Sequence, residues 1–447
     1  MIDHKQLSNL ISEKKTDEIL LIFEDYNLIN LSEIVSEMSI NDTLFLLKFL
    51  PKNIGGDLFA SFDKERKSEI IESLSDEDVK SVFNNFYADD IISLLGELPA
   101  NLTKKILEKS SKETRSDINT ILDYQSETAG AIMTVEFVEL KASDTYKDAL
   151  EKVKKQGSMA EVVTECFIVN KNRVLQGKIK LKDLIFGEPD EIVANNMETN
   201  IITGASQADQ ETVLTLMQKY DLHVIPVVNP DYCLVGIITI DDILDIMEKE
   251  VTKDVHQMAG ITASKDSYIN ASVWQMAKAR TPWLLILMFT ALFTELVLKA
   301  FESELAAVTI LAAFIPMTMG TAGNAANQSS VMVIRGIVVD DLSVKDSSKI
   351  FLKEISVSLY LSLAMFTVTA LRIYFLPPAA GLDIVLSVSI SILISIFIAN
   401  VVGGLLPILA LYFKQDPAAM AAPIISNVMD VSSLAIFFIV AKVILGI

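Results

Sequence analysis

Asp430 lies inside an apolar stretch from Ala418 to Ile447 that is long enough to cross a bilayer. A carboxylate at that depth costs at least about 2.5 kcal/mol, so a chain that keeps one normally uses it. Two readings fit such a residue: a protonated helix-packing acid, or an ion site. Pro423, Ser426, Asn427, Asp430 and Ser433 recur at helical spacing and make one polar stripe. A second stripe lies upstream in Pro316-Met-Thr-Met-Gly-Thr-Ala-Gly-Asn-Ala-Ala-Asn-Gln-Ser-Ser, where Asn324, Asn327 and Gln328 fall at i, i+3 and i+4. Pro316, Gly320 and Gly323 predict a broken or closely approached helix there, tolerated at membrane depth where it lines a watery path or is buried in protein. Amides, hydroxyls, freed carbonyls and one carboxylate suit a hard cation, Mg²⁺ or Ca²⁺, and Mg²⁺ in particular keeps its waters and accepts one or two carboxylates. Soft metals would need thiolate or imidazole, yet His4, His223, His256, Cys166 and Cys233 all lie outside this part. The candidate ion-site residues are therefore Asp430, Asn324, Asn327, Gln328, Ser426 and Asn427.

These stripes need helices to carry them, and the hydropathy pattern supplies five segments: Trp283 to Leu298, Leu305 to Met319, Ile355 to Leu376, Ile384 to Phe413, and Ala418 to Ile447. With no secretory signal in MIDHKQLSNLISEKK, the N-terminal part is expected in the cytoplasm, and five crossings would put the two ends on opposite sides. The Arg335 to Lys353 loop, with Arg335, Lys345, Lys349 and Lys353, then falls inside, and the loop around Pro377, Pro378 and Asp383 outside. Glu295 in the first segment fits a lipid-interface position.

Before Pro282 the chain reads as a charged, soluble protein. It holds most of the whole chain's net charge of −20, which argues against nucleic acid as a partner and favours cations, although acid also serves solubility. Positions 24 apart repeat near the N-terminus: Met38, Phe62 and Phe86, and, offset by 12, Leu50, Leu74 and Leu98. Pro51, Pro99 and Ser75-Asp-Glu-Asp supply helix starts, so short helices should stack as a superhelix. From Glu127 the texture alternates. Phe137-Val-Glu-Leu, Ala149-Leu-Glu-Lys-Val, Glu165-Cys-Phe-Ile-Val and Gly177-Lys-Ile-Lys-Leu form one β-α-β-β-α set. Thr199-Asn-Ile-Ile, Glu211 to Met217, His223-Val-Ile-Pro-Val-Val and Leu234-Val-Gly-Ile-Ile-Thr form another. Asp241 to Ala259 then reads as one long helix, with Ile243, Leu244, Met247, Val251, Val255 and Met258 at helical spacing and acids on the other sides. The two cysteines suit a reducing compartment and buried, unreactive thiols.

No G-x-x-x-x-G-K-[ST] loop is present, and nothing in the chain is arranged for catalysis, so an enzyme or ATP-driven pump is not expected. Flow down the electrochemical gradient is the simpler reading for a divalent cation, since the membrane potential contributes about 2.3 kcal/mol per charge per 100 mV.

The two β-α-β sets, HVIPVV and LVGIITIDDIL above all, resemble a tandem pair of CBS domains; Lys180 stands where the second set has Thr239. Gly236-Ile-Ile-Thr-Ile-Asp-Asp is similar to segments that hold a nucleotide through Thr and Asp, here Thr239 and Asp242, which makes ATP a candidate regulatory ligand and a strand-to-helix cap the plainer role. The whole chain resembles the MgtE magnesium channel family through EKEVTKDVHQMAGI, PWLL, FESELAAVTIL, GTAGNAANQSS with its following IRG, and DPAAMAAPIISNVMD. The resemblance implies a multi-domain fold. It comprises an α-helical superhelix (1–126), α/β tandem CBS domains (127–196 and 197–246), a connecting plug helix and linker (241–275), and an all-α five-helix transmembrane domain (276–447). It also implies a homodimer in the plasma membrane with a pore on its two-fold axis, Asp430 on hydrated Mg²⁺, and closure by cytoplasmic Mg²⁺ bound at Asp90, Asp241, Asp242, Asp245, Glu248, Asp254 and Asp416. Ala322, Ala326, Ala422 and Ser93 depart from the family pattern. A broader carrier of Co²⁺, Mn²⁺ or Ca²⁺ and a non-conducting membrane sensor are the alternatives.

Overall fold

The computed structural model describes residues 4–446 apart from 84–85, 158, 263–267, 269–270, 341, 377–379 and 419–421; Pro377 and Pro378 thus lie outside the described residues. The chain divides into two compact units, Met1–Glu248 and Lys249–Ile447.

The first unit opens with ten short helices: α1 (His4–Ser12), α2 (Thr16–Asp25), α3 (Leu28–Ser36), α4 (Ile40–Phe49), α5 (Lys52–Ala60), α6 (Lys64–Ser73), α7 (Asp76–Phe83), α8 (Ala88–Glu97), α9 (Ala100–Lys109) and α10 (Lys112–Leu122). Each starts 12 residues after the last, so the repeat seen between residues 38 and 98 extends over all ten. Local chemistry sets that beat. The side chains of Ser39, Asp63 and Ser111 accept from backbone amides in the first turns of α4, α6 and α10, while Pro51 and Pro99 stand at the starts of α5 and α9. Met38, Phe62, Phe86, Leu50 and Leu74 are all buried in one continuous core, where the Phe59, Phe62, Phe83 and Phe86 rings lie 5.4 to 6.4 Å apart. No single helix of this length buries its own face, so stacking is what stabilises them.

Two three-stranded sheets follow with the same topology. In the first, β1 (Phe137–Leu140) runs parallel to β2 (Val162–Val169), which pairs antiparallel with β3 (Leu175–Lys180); α11 (Tyr146–Gln156) crosses over and α12 (Leu181–Phe186) follows. In the second, β4 (Gly204–Ala205), β5 (Val224–Val228) and β6 (Leu234–Thr239) repeat the pattern around α13 (Gln210–Lys219), and α14 (Ile240–Met258) leaves β6. The strand expected at Thr199 to Ile202 is instead extended chain leading to a two-residue β4, because only Gly204 and Ala205 reach β5. Phe137, Phe167 and Leu175 of one sheet share a core with Val224, Leu234 and Ile237 of the other, which makes the pair one body. Cys166 is buried and burial pushes its thiol up to about 12; Cys233, expected buried, is only partly covered.

The second unit holds α15 (Val273–Ala300), the short α16 (Glu302–Ala307), α17 (Ile315–Val339), α18 (Ser347–Phe375), α19 (Leu382–Tyr412) and α20 (Ala422–Leu445). Helices spanning Val273–Ala300, Val344–Phe375, Leu382–Tyr412 and Ile424–Leu445 are long and apolar enough to cross a membrane. The second expected segment is displaced. Leu305 to Phe314 forms the end of α16 and a 3₁₀ stretch, and α17 starts ten residues later than the apolar run. Pro316 sits in the first turn of α17, where its missing N–H is harmless, so the expected break becomes a helix start and Gly320 and Gly323 lie in continuous helix. α19 is the central helix, buried at residues from Val385 to Ala410. Its Gly403 meets α17 so closely that a Cβ there would fall 2.2 Å from the Ala326 carbonyl oxygen. Ser329 Oγ lies 2.7 Å from Glu354 Oε2 and 2.8 Å from the Asn400 carbonyl, which ties α17, α18 and α19 together. Glu304 and Lys442 pair at 2.6 Å between α16 and α20. Gly403→Ala should cost about 1 to 3 kcal/mol by forcing α17 and α19 apart, read as a lower melting temperature of the full-length protein in detergent.

Candidate functional sites

Asp430 stands eight residues into α20, half-buried. Facing it is Gly323 of α17: a Cβ on that glycine would touch Asp430 Oδ1 at 3.4 Å and Ser426 at 3.7 Å. The glycine therefore lets the α17 backbone pass beside the carboxylate, and the two segments that carry the predicted polar stripes pack against each other at this point. Within α17, Asn324 and Gln328 are exposed together with Pro316 and Gly320, one turn apart each, and form a polar edge. Asn327 turns from that edge toward the bundle, where its Oδ1 is buried without a hydrogen-bond partner among the described residues. Asn427 also turns away: its Nδ2 donates to Thr290 Oγ1 of α15 at 2.6 Å. The sites thus divide into Asp430, Ser426, Asn324 and Gln328, against Asn327 and Asn427, which face other helices. Glu295 is exposed on α15. Ala322 and Ala326 are buried in the α17 packing surface, and the side chains of Ala422 and Pro423 lie outside the described residues.

A second constellation lies in the first unit. Asp89 in the first turn of α8, Glu161 just before β2, and Asp242 in the first turn of α14 bring carboxylate oxygens within 4.8 Å of one another. Three like charges at that range repel strongly, by about 4 kcal/mol per pair at 4 Å in a medium of intermediate polarity. Burial acts on each carboxyl in the same direction as this repulsion, and more strongly. Burial first and Glu161 second hold the Asp89 carboxyl well above its usual range. Burial, then Asp242, push Glu161 up to about 8; burial, then Asp242 and Asp57, push Asp90 up to about 7. Asp242 is pushed up to about 6 by burial and, more weakly, Asp241, against a hydrogen bond from Thr239. Asp90 is backed by Gly56, whose Cβ would lie 2.9 Å from its carboxylate.

The donor set fits a hard divalent ion. The three clustered ligand atoms are carboxylate oxygens, and among the described residues Asp89 Oδ1 and Glu161 Oε2 are buried without hydrogen-bond partners, which leaves them available to coordinate. Sequence reasoning misses Asp89 and Glu161: Asp89 adjoins the expected Asp90, but Glu161 lies in another domain and only folding brings it near. Thr239, 2% exposed, donates its hydroxyl to Asp242 Oδ2 at 2.6 Å, which orients that carboxylate at the head of α14. Asp241, Asp245 and Glu248 are exposed on the same helix.

In the second unit, α14 continues to Asp254, whose carboxyl is raised by burial and then by the neighbouring charge of Asp416. Asp416 itself accepts the Ala418 N–H at 2.8 Å, shaping the turn that leads toward α20. Two expected regulatory acids from sequence positions 162 residues apart are thereby brought near each other.

The family described as "Divalent cation transporter" (MgtE) matches residues 315–440, the MgtE intracellular N domain matches 26–127, and a CBS domain matches 191–249. The magnesium transporter MgtE of Thermus thermophilus is 30% identical over 448 residues, covering 98% of either chain. That of Enterococcus faecalis is 32% identical over 332 residues, covering 74% of this chain and 72% of its own. The crystal structure of the soluble part of a magnesium transporter is 28% identical and superposes with a TM-score of 0.50, covering 55% of this chain and 97% of that one. Near-complete coverage at this identity, with helical, CBS and membrane parts in the same order, leaves one assignment: the chain belongs to the MgtE family of divalent cation transporters.

Proposed function

We propose that this protein is a multi-pass membrane channel that admits Mg²⁺ down its electrochemical gradient and is closed by Mg²⁺ bound on its cytoplasmic side. The observation that carries the transport reading is the meeting of Asp430 and Ser426 with Gly323 across two membrane helices. One carboxylate beside a serine, with amide side chains exposed along the neighbouring helix, suits an ion that keeps most of its water. Two copies of the chain on a two-fold axis would place two such carboxylates around one path, with the exposed Asn324 and Gln328 edge turned toward it.

For regulation, Asp89, Glu161 and Asp242 join three segments that repel until a divalent ion bridges them. Asp90, Asp241, Asp245 and Glu248 surround that cluster or continue from it, and Asp254 with Asp416 forms a second acidic site near the membrane helices. Bound Mg²⁺ would hold α14 in place; its loss would release the helix and open the path. The same reading places the soluble part in the cytoplasm and the helices in the plasma membrane, with the bilayer, Mg²⁺ and a second copy of the chain as its partners.

The purified full-length protein in liposomes should take up Mg²⁺ when Mg²⁺ on the cytoplasmic side is low, followed with an entrapped indicator. Equal uptake of Ca²⁺, Co²⁺ and Mn²⁺ would turn the assignment to a broad divalent transporter. Mg²⁺ binding without flux would turn it to a sensor.

A further inference from the structure

The proposed closure needs a route from α14 to Asp430, and the second unit contains one that runs through α15. At the end of α14 the chain turns at Gly260, with φ +67, and the Trp283 ring lies against it: a Cβ at position 260 would fall 1.4 Å from Trp283 Cδ1. Only glycine both adopts this backbone and leaves room for the ring. Two residues on, Thr262 N–H donates to the Ala279 carbonyl of α15 at 3.1 Å. The foot of α14 is therefore clamped to one face of α15 by a ring and a backbone hydrogen bond.

That face continues upward. Ala279, Trp283, Leu287, Thr290 and Thr294 are the more covered residues of α15, at three- and four-residue spacing, among neighbours that are exposed. Seven residues beyond Trp283, Thr290 Oγ1 accepts the Asn427 Nδ2 donor at 2.6 Å. Asn427 lies three residues before Asp430 on α20, less than one turn. The bond borders an apolar cavity of about 250 Å³ walled by Ile286, Phe293, Val428 and Val431. Water does not compete strongly for a hydrogen bond in such surroundings, and the open volume leaves α20 room to shift beside α15.

We propose that α15 is the mechanical link between the plug helix and the ion site, with Trp283 and Thr290 as positioning residues: the Gly260–Trp283 clamp fixes the height and rotation of α15, and the Thr290–Asn427 bond passes that setting to Asp430. The proposal rests on the closure by Mg²⁺ set out above and adds the residues that transmit it. The decisive measurement is an interaction between the two ends of the route.

The experiment compares Mg²⁺ flux into liposomes for the full-length parent, Thr290→Val, Thr290→Ser, Gly260→Ala and the double variant Gly260→Ala/Thr290→Val, across a range of Mg²⁺ on the cytoplasmic side. Thr290→Val keeps the shape and removes the acceptor. It is expected to raise the half-inhibitory Mg²⁺ about tenfold, the effect of one buried hydrogen bond, with maximal flux within about twofold of the parent. Thr290→Ser should restore inhibition. Gly260→Ala should shift inhibition in the same direction, and the double variant should shift it no further than the larger single change. Half-inhibition within about twofold of the parent in both single variants, or additive shifts in the double variant, would overturn the link while leaving transport intact. Should Thr290→Val fail to insert or melt far below the parent, Gly260→Ala and Trp283→Phe, both outside the Asn427 contact, decide the proposal by the same inhibition curve. Absence of flux in the parent would instead remove the transport reading, and the link with it.

Discussion

Asp430→Ala should lower Mg²⁺ flux by at least about a hundredfold, with the folded protein recovered in normal yield. Asp430 is half-buried on α20, with Gly323 of α17 beside it. A unit charge at about 4 Å contributes about 4 kcal/mol per opposing unit charge in a medium of intermediate polarity, and Mg²⁺ carries two. Losing half of that, about 4 kcal/mol, exceeds the roughly 2.8 kcal/mol that a hundredfold change requires. Asp430→Asn separates charge from shape, because it keeps the oxygen and hydrogen-bonding capacity but not the charge. It should fall nearly as far as Asp430→Ala. Gly323→Ala, by contrast, places a methyl group in ordinary contact with Oδ1 and should reduce flux by a smaller factor, about threefold to tenfold, through geometry alone. Liposome flux at low cytoplasmic Mg²⁺ measures all three. Parent-like flux in Asp430→Asn would mean that the carboxylate is a helix-packing group.

The second large effect concerns closure. Neutralising Asp89, Glu161 and Asp242 together, as Asn, Gln and Asn, should abolish inhibition by cytoplasmic Mg²⁺, and each single change should raise the half-inhibitory concentration about tenfold or more. The same cluster predicts a pH dependence whose sign follows from the direction of the shifts. These carboxyls titrate near pH 4 in an unfolded chain, but their folded values rise to about 6 for Asp242, about 7 for Asp90 and about 8 for Glu161. Between pH 4 and pH 8 the folded state therefore holds more protons than the unfolded state, and stability falls as pH rises through that window. Without Mg²⁺, amide exchange in α8 and the first turns of α14 should quicken from pH 5 to pH 8 beyond the intrinsic rate. Saturating Mg²⁺ at pH 8 should slow it again, since the ion replaces the protons as the neutralising charge. Protection unchanged by Mg²⁺ at pH 8 would remove this cluster from the regulatory reading.

Much of the architecture was legible from local rules. The 12-residue beat of α1 to α10 is audible in Met38, Phe62 and Phe86 because each helix must hide one apolar face and begin with a residue that satisfies its free N–H groups. The strands β1, β2, β3, β5 and β6 fall on the apolar alternations, and α14 on a helical one. Errors arose where hydropathy and helix geometry part. The apolar run at Leu305 to Met319 suggested a membrane span, but only its last five residues enter the long helix, the more polar α17, because burial against α19 replaces apolar composition as its source of stability. Three amides at i, i+3 and i+4 looked like one face. Their angular spread of about 100° is enough to put Asn327 inside the bundle while Asn324 and Gln328 stay on the exposed edge.

The sequence by itself determined which residue types were at hand: a lone carboxylate in an apolar span, an acidic head on α14, glycines in α17, and the order of domains that carries the family likeness. Tertiary structure alone decided which of them meet. Glu161 has no local signature that distinguishes it from other acids, and becomes a candidate ligand only because β2 starts where α8 and α14 also start. Asn427 had the right chemistry and spacing for the ion path, yet rotation of α20 gave its amide to Thr290. Periodicity along a chain fixes a residue's direction relative to its own element; how elements are rotated and stacked on one another depends on packing among segments far apart in sequence, and that is where ligands are assembled.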